Sequence, residues 1–190
     1  MAGPSALCPR AGGQGARVRL VGVIRRATVL LVSLACCFSL AACNGKNSDP
    51  KTVDGIPAYA AANTPQGAQS FARYWITTLN KATVDGKTAK LRTLQKTSCT
   101  TCTDFAKQLD TIYAKGGHVD TKGFKVKKIL NDSSVPPPGA GVSVVLTATP
   151  QTIVASKGAT ARHLKGGDLR LRLIMVRVKS HWVMDRIDIG

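Results

Sequence analysis

Between Tyr113 and Phe124 the spacing of apolar residues changes from three or four to two, and this change decides the fold class. Three helical patterns precede it. Thr64 followed by Pro65 places a hydroxyl at an N-cap and a proline at the first helical position. Phe71, Tyr74, Trp75 and Thr78-Leu79 then form one apolar face to about residue 81. A shorter helix over 86–95 carries Leu91 and Leu94 on one side. The third repeats Cys102, Phe105, Ala106, Leu109, Ile112 and Tyr113, and stops at Gly116-Gly117, where glycine takes the left-handed C-terminal conformation.

Past the change the chain reads as strands. Phe124 and Val126 alternate with Lys125 and Lys127, and Lys128-Ile129-Leu130 breaks the phase as a bulge would. Residues 131–141 hold Pro136-Pro137-Pro138-Gly139 and read as a loop. A strand over 142–149 continues past Pro150 to 155. Leu169, Leu171, Leu173 and Met175 alternate with Arg170 and Arg172, after which Ile174, Val176 and Val178 take over the apolar phase. That switch suggests a long bent strand whose inner face changes partway. A turn at Lys179-Ser180-His181 leads to the last strand, 182–189. Helices followed by antiparallel strands make an α+β domain. The expected form is an NTF2-like cone, about three N-terminal helices packed on a curved four-stranded antiparallel sheet. A cystatin-like helix on sheet is the alternative.

The N-terminal region sets a location. Arg17, Arg19, Arg25 and Arg26 precede an apolar run over 27–42, broken only by Thr28, Ser33 and Ser39. A membrane span needs about 20 residues, and this run is shorter and ends in small residues, as a signal peptide does. An uncleaved anchor or a buried helix is the plainer reading of such a run. Leu40-Ala41-Ala42-Cys43 resembles a bacterial lipobox, which makes Cys43 the lipid attachment residue. The expected organisation is a signal peptide over 1–42, a flexible tether over 43–63 and a domain over 64–190. Translation starting near Val21 or Val23 would give the leader a more ordinary length, and Arg25-Arg26 also allows twin-arginine export. The membrane, through the lipidated N-terminus, is then the first partner, and the protein sits on the extracytoplasmic face.

Thr64-Pro65-Gln66-Gly67, Phe71, Tyr74-Trp75, Leu79-Asn80, Leu91, Cys99-Thr100-Thr101-Cys102 and Gly116-Gly117 together resemble a family of actinobacterial lipoproteins. Those proteins carry an NTF2-like domain behind a lipobox. The resemblance spans about residues 57–190 plus the lipobox and implies location and fold, with no activity to transfer.

Removal of the leader leaves 22 Lys and Arg against 10 Asp and no Glu, a balance of about +12. Such charge raises the question of nucleic acid. The compartment and the 5% aromatic content argue against base stacking, so no nucleic-acid partner is expected. An anionic wall polymer, lipid headgroups, an envelope protein or a small ligand fit better. Cys99 and Cys102 are the only thiols left once Cys43 is acylated and Cys8, Cys36 and Cys37 leave with the leader. An even pair in an oxidising compartment reads as a disulfide. A redox CxxC and a two-ligand metal site are the other readings.

A search for an active site assigns no catalytic, cofactor-binding or metal-binding residue. His118, His163 and His181 lack ligand spacing, and no phosphate loop, nucleophile elbow or Ser/His/Asp pattern can be assembled. The expected function is a non-catalytic envelope lipoprotein displaying a ligand- or partner-binding domain. An isomerase or cyclase is the alternative, with Asp104, Asp110 or His118 lining the cone near Tyr74; an extracytoplasmic thiol-redox protein is the second.

Overall fold

The computed structural model describes residues 51–190; the leader and Cys43 lie outside them. β1 (Thr52–Val53) and β2 (Ile56–Pro57) form a small hairpin through Asp54-Gly55, and α1 (Ala58–Ala61) follows directly. This corrects the expected tether, because Ile56, Ala60 and Ala61 are 1%, 0% and 4% exposed and belong to the core. The expected boundary at 64 therefore moves forward to include the hairpin from Thr52. Ala-rich chain with two prolines reads as linker, yet small side chains are what allow a segment to lie close against a helix.

α2 (Pro65–Asp85) starts where its capping residues place it: Thr64 Oγ1 accepts a hydrogen bond from the Gly67 amide at 2.9 Å. Ala68, Phe71, Ala72, Trp75, Ile76, Leu79 and Ala82 form its buried stripe, and Ala82 carries the helix one turn past residue 81. α3 (Ala89–Thr93) is shorter than expected, because the chain after it leaves the helix. α4 (Thr100–Ala114) ends before Gly116 (φ 71°).

The strands are β3 (His118–Thr121), β4 (Phe124–Asp132), β5 (Gly139–Ala148), β6 (Gln151–Val154), β7 (Arg162–Leu164), β8 (Gly167–Val178) and β9 (His181–Ile189). The main sheet has the order β4-β5-β8-β9, all antiparallel, and a second sheet has the order β3-β6-β7. After α3, the Lys96 amide donates to Met184 O (2.8 Å) and the Met184 amide to Leu94 O (2.9 Å), so residues 94–96 pair with the β9 edge. The expected bulge is present as a register shift between Val126 and Lys128.

β3 and β7 were not expected as strands, and the strand expected to run to 155 divides into β5 and β6. All three departures have one cause. The chain passes between the sheets at 122–123, at 149–150 and at 165–166, and the register puts these breaks side by side. Long bent strands therefore cross a common crease. Gly123 (φ 75°) turns one of them, at a place where an added Cβ would lie 2.5 Å from Asn80 Oδ1. Asn80 serves as a strand partner there: its Nδ2 donates to Phe124 O (2.9 Å) and its Oδ1 accepts from Phe124 N (2.8 Å).

β8 does not exchange faces. Leu173 and Met175, both fully buried, pair with Ile187 and Met184, while Ile174 pairs with Gly141 on the opposite side. Ile174 is still only 8% exposed. Val135 of the proline-rich loop lies beside Gly139 and Gly141, within 3 Å of where side chains would begin. Apolar residues appear in both phases because this end of the sheet is covered on both sides. The helices pack on the other, concave face around Trp75, Phe71, Leu91, Leu94, Leu146 and Leu173.

Candidate functional site

The space between helices and sheet is filled. What remains is a pocket of about 70 Å³ walled by apolar side chains, among them Trp75, Leu79, Phe105, Phe124, Leu171 and Ile187. Among the described residues no ionisable side chain lines it. Trp75 Nε1 is buried without a hydrogen-bond partner. The residues of the isomerase alternative lie elsewhere. Asp104 is exposed on α4. Asp110 ties α4 to α3, accepting from Thr88 Oγ1 (2.6 Å) and Arg92 Nη2 (2.5 Å). The Thr88 hydroxyl, more than Arg92, holds its pKa below the usual carboxylate range. His118 is half exposed beside Asp120 (3.5 Å), and the Tyr74 hydroxyl reaches toward Gly55 O. None of them lines the pocket.

A larger cleft opens at the other end of the concave face. Its volume is about 550 Å³, and its walls are the start of α2, the β4–β5 loop and the β8–β9 hairpin. Pro65, Val135, Pro137 and Trp182 supply apolar surface, and Asn63, Asn131 and Arg177 supply polar groups. A strap of backbone holds this arrangement. Arg177 Nη1 donates to Ala61 O (2.6 Å), and Trp182 Nε1 donates to Ala62 O (2.8 Å). The guanidinium lies 5.0 Å over the Trp182 ring, a cation–π contact. The strap passes so close to α2 that any side chain at Gly67 would collide with the Ala62 carbonyl.

Among the described residues Asp132 is the one acid lining the cleft, and its charge is already engaged. It accepts from the Ser134 hydroxyl (2.7 Å), the Ser134 amide (2.9 Å) and Arg172 Nε (2.5 Å). Those bonds, the Ser134 hydroxyl foremost, lower its pKa from 3.8 to about 2. A depressed folded-state pKa means that the anchoring of the loop is fully present above about pH 4 and is lost as pH falls through about 2. An NMR titration of the Ser134 amide is expected to show its midpoint near 2; a midpoint near 4 would show that the carboxylate does not hold the loop. Among the described residues Arg177 is the cation of the cleft that no acid pairs with.

The other histidines are also outside the cone. His163 Nδ1 stands 3.0 Å from Thr152 Oγ1. His181 joins a cluster that the sequence reading missed: Asp54 Oδ2 accepts the Ser180 hydroxyl (2.5 Å) and lies 3.0 Å from His181 Nδ1. Ser180 first, then His181, lowers the Asp54 pKa. The serine donates its hydrogen bond to the carboxylate and not to the imidazole, so this is a clasp between two turns and not a nucleophile with its base. The turn dipeptide Asp54-Gly55 was its visible signal.

Cys99 and Cys102 are joined as a disulfide with Cα atoms 5.3 Å apart. Both are buried, at 2% and 0% exposure, and Cys99 is the N-cap of α4. Closing so small a loop contributes about 2 kcal/mol. A buried bond at a helix start clamps that start and offers no sulfur to a redox partner. Among the described residues no three His, Cys, Asp or Glu side chains group as metal ligands.

Helices on one face of a strongly curved antiparallel sheet make this the NTF2-like, cystatin-like α+β fold. Residues 53–187 match a family of unknown function, DUF6318. No curated protein matches the sequence. The intermembrane-space region of the chloroplast protein ARC6 superposes with a TM-score of 0.50 at 11% identity, over 66% of this chain and 95% of that one. An uncharacterised protein with a cystatin-like fold from Caulobacter vibrioides gives 0.41 at 14% identity, covering 65% and 91%. An NTF2-like protein with a cystatin-like fold from Novosphingobium aromaticivorans gives 0.39 at 12%, covering 62% and 77%.

Proposed function

The chain belongs to the family of unknown function DUF6318, and we propose that it is a non-catalytic lipoprotein that holds a binding domain at the extracytoplasmic face of the membrane. Cys43 carries the lipid, and the cleft beside Arg177 and Trp182 takes the ligand. The observation that carries this reading is the contrast between the two cavities. Among the described residues the cone interior is filled and apolar, whereas the cleft is roomy and is lined by Arg177, a cation with no acid beside it, against the Trp182 ring. Its size suits a small molecule, and its polar groups are few and convergent. α2, 21 residues long, begins at the wall of the cleft, and its positive end adds to the field of Arg177. The preferred ligand is therefore small, with an apolar body and an anionic end. The buried disulfide suits an oxidising compartment and so supports export. Two acyl chains anchor a protein stably where one does not, so the basic surface is not needed for attachment.

One preparation tests both halves. Cells fed an alkyne analogue of palmitate are expected to label the native protein and not the Cys43→Ala variant, which leaves the detergent-extracted membrane fraction. A native protein with a free thiol at Cys43 would end the anchor. For the cleft, hexanoate at millimolar concentration is expected to move the NMR signal of the Trp182 indole N–H, and Arg177→Ala is expected to abolish the movement. An unmoved signal in the native protein, or an equal one in the variant, would end the binding reading.

A further inference from the structure

We propose that the domain meets an anionic bilayer through one pole, the end where the β1–β2 turn clasps the β8–β9 turn; this rests on the lipidation of Cys43 proposed above. The first argument is length. The first described strand starts at Thr52, so only residues 44–51 separate the anchored residue from it. Eight residues reach about 28 Å when fully stretched. A domain of this size is roughly 37 Å across, so so short a tether cannot let it turn over freely. Surface near Thr52 is held toward the headgroups.

The topology says which surface that is. The Ala58 amide donates to Lys51 O (2.7 Å), which starts the hairpin, and Asp54 at its tip binds Ser180 and His181 of the β8–β9 turn. Asp54 (φ 52°) and Lys179 (φ 53°) both have left-handed backbone, which shapes the two tips that meet. From this turn β8 runs 12 residues to the crease, with the β6–β7 turn beyond it. At about 3.3 Å per residue the β6–β7 turn is therefore at the far pole.

The chemistry of the near pole fits a lipid surface. Tyr59 is 59% exposed and Val178 38%, two of the few large apolar side chains left open on the described surface. Lys51 and Lys179 are exposed beside them, and Lys90 reaches Gly55 O through its Nζ (2.8 Å). Among the described residues Asp54 is an acid at this pole, and it is occupied by Ser180 and His181. Aromatic and aliphatic side chains set among lysines with aliphatic stems are what an anionic headgroup layer receives.

The test uses the full lipidated protein in vesicles of phosphatidylglycerol and phosphatidylcholine that contain a lipid-borne nitroxide quencher. A fluorophore is placed at Val178→Cys or, at the far pole, at Lys157→Cys. Several-fold stronger quenching at the first position is expected. Lys51→Glu with Lys179→Glu is expected to reduce it, since each cation near an anionic leaflet adds roughly a fivefold preference. Protein that floats with the vesicles and shows equal quenching at both labels overturns the pole and leaves the anchor standing. Protein that does not float overturns the anchor and this proposal with it.

Discussion

Truncating Trp182 to alanine is expected to destabilise the domain by about 3–5 kcal/mol, the usual loss for a large buried aromatic. The ring is 3% exposed, and three separate interactions converge on it. It fills the wall between β9 and the start of α2, its Nε1–H holds the Ala62 carbonyl at 2.8 Å, and its face carries the Arg177 guanidinium. Losing it opens a void and also frees the strap of residues 61–62 from the sheet. For a domain of this length the melting temperature is expected to fall by about 10 °C. Trp182→Phe separates the contributions. It keeps most of the volume and the cation–π face but loses the donor to Ala62, and is expected to cost only about 1 kcal/mol. Calorimetry of the two variants is the measurement. Equal losses would assign the effect to the hydrogen bond and not to packing, and a loss under about 1 kcal/mol for alanine would mean that the strap is held elsewhere.

How much of this was legible depends on whether the deciding contact is local. Thr64-Pro65 and the stripe from Phe71 to Leu79 announce α2 because capping and helical period involve residues three or four apart. The bulge after Val126 could be read as a break in phase for the same reason. The crease could not. β3 and β7 are four and three residues long, and what makes them strands is pairing with β6, decades of residues away for β3. The N-terminal hairpin and α1 read as tether because Ala60 and Ala61 have no period to show; their burial follows from how closely the chain approaches α2 at Gly67. The cleft was not legible. The expected switch of face put Arg177 on the outer phase, and only in the structure, where β8 keeps one inner face, does it turn inward and need a partner. That the partner is the Ala61 carbonyl, 116 residues earlier, is a tertiary fact. The inner-cone acids were the opposite case: Asp104 and Asp110 lie beside the α4 stripe and not in it, and the structure leaves both outside.

Asn80 is the second position where a large effect is expected, and it tests the crease directly. Its amide satisfies both the carbonyl and the N–H of Phe124, at 2.9 and 2.8 Å, where β3 passes into β4. Asn80→Ala orphans both groups, but the side chain is half-buried and water can enter, so the expected loss is about 2 kcal/mol. Asn80→Leu fills the space without supplying a donor or an acceptor and excludes that water; about 3 kcal/mol is expected. Volume alone would predict the reverse order. Asn80→Asp gives a further handle, because the new carboxylate can accept from Phe124 N but must face Phe124 O. Its folded-state pKa is then raised above about 4. A raised pKa places the stabilising state at low pH and removes it as pH rises through the folded value, so the deficit against the native protein should be small near pH 3 and full at pH 7. Melting the native protein and the three variants side by side across that range reads out the prediction. A deficit independent of pH, or a leucine variant more stable than the alanine one, would show that Asn80 acts by filling space and not by taking the place of a strand.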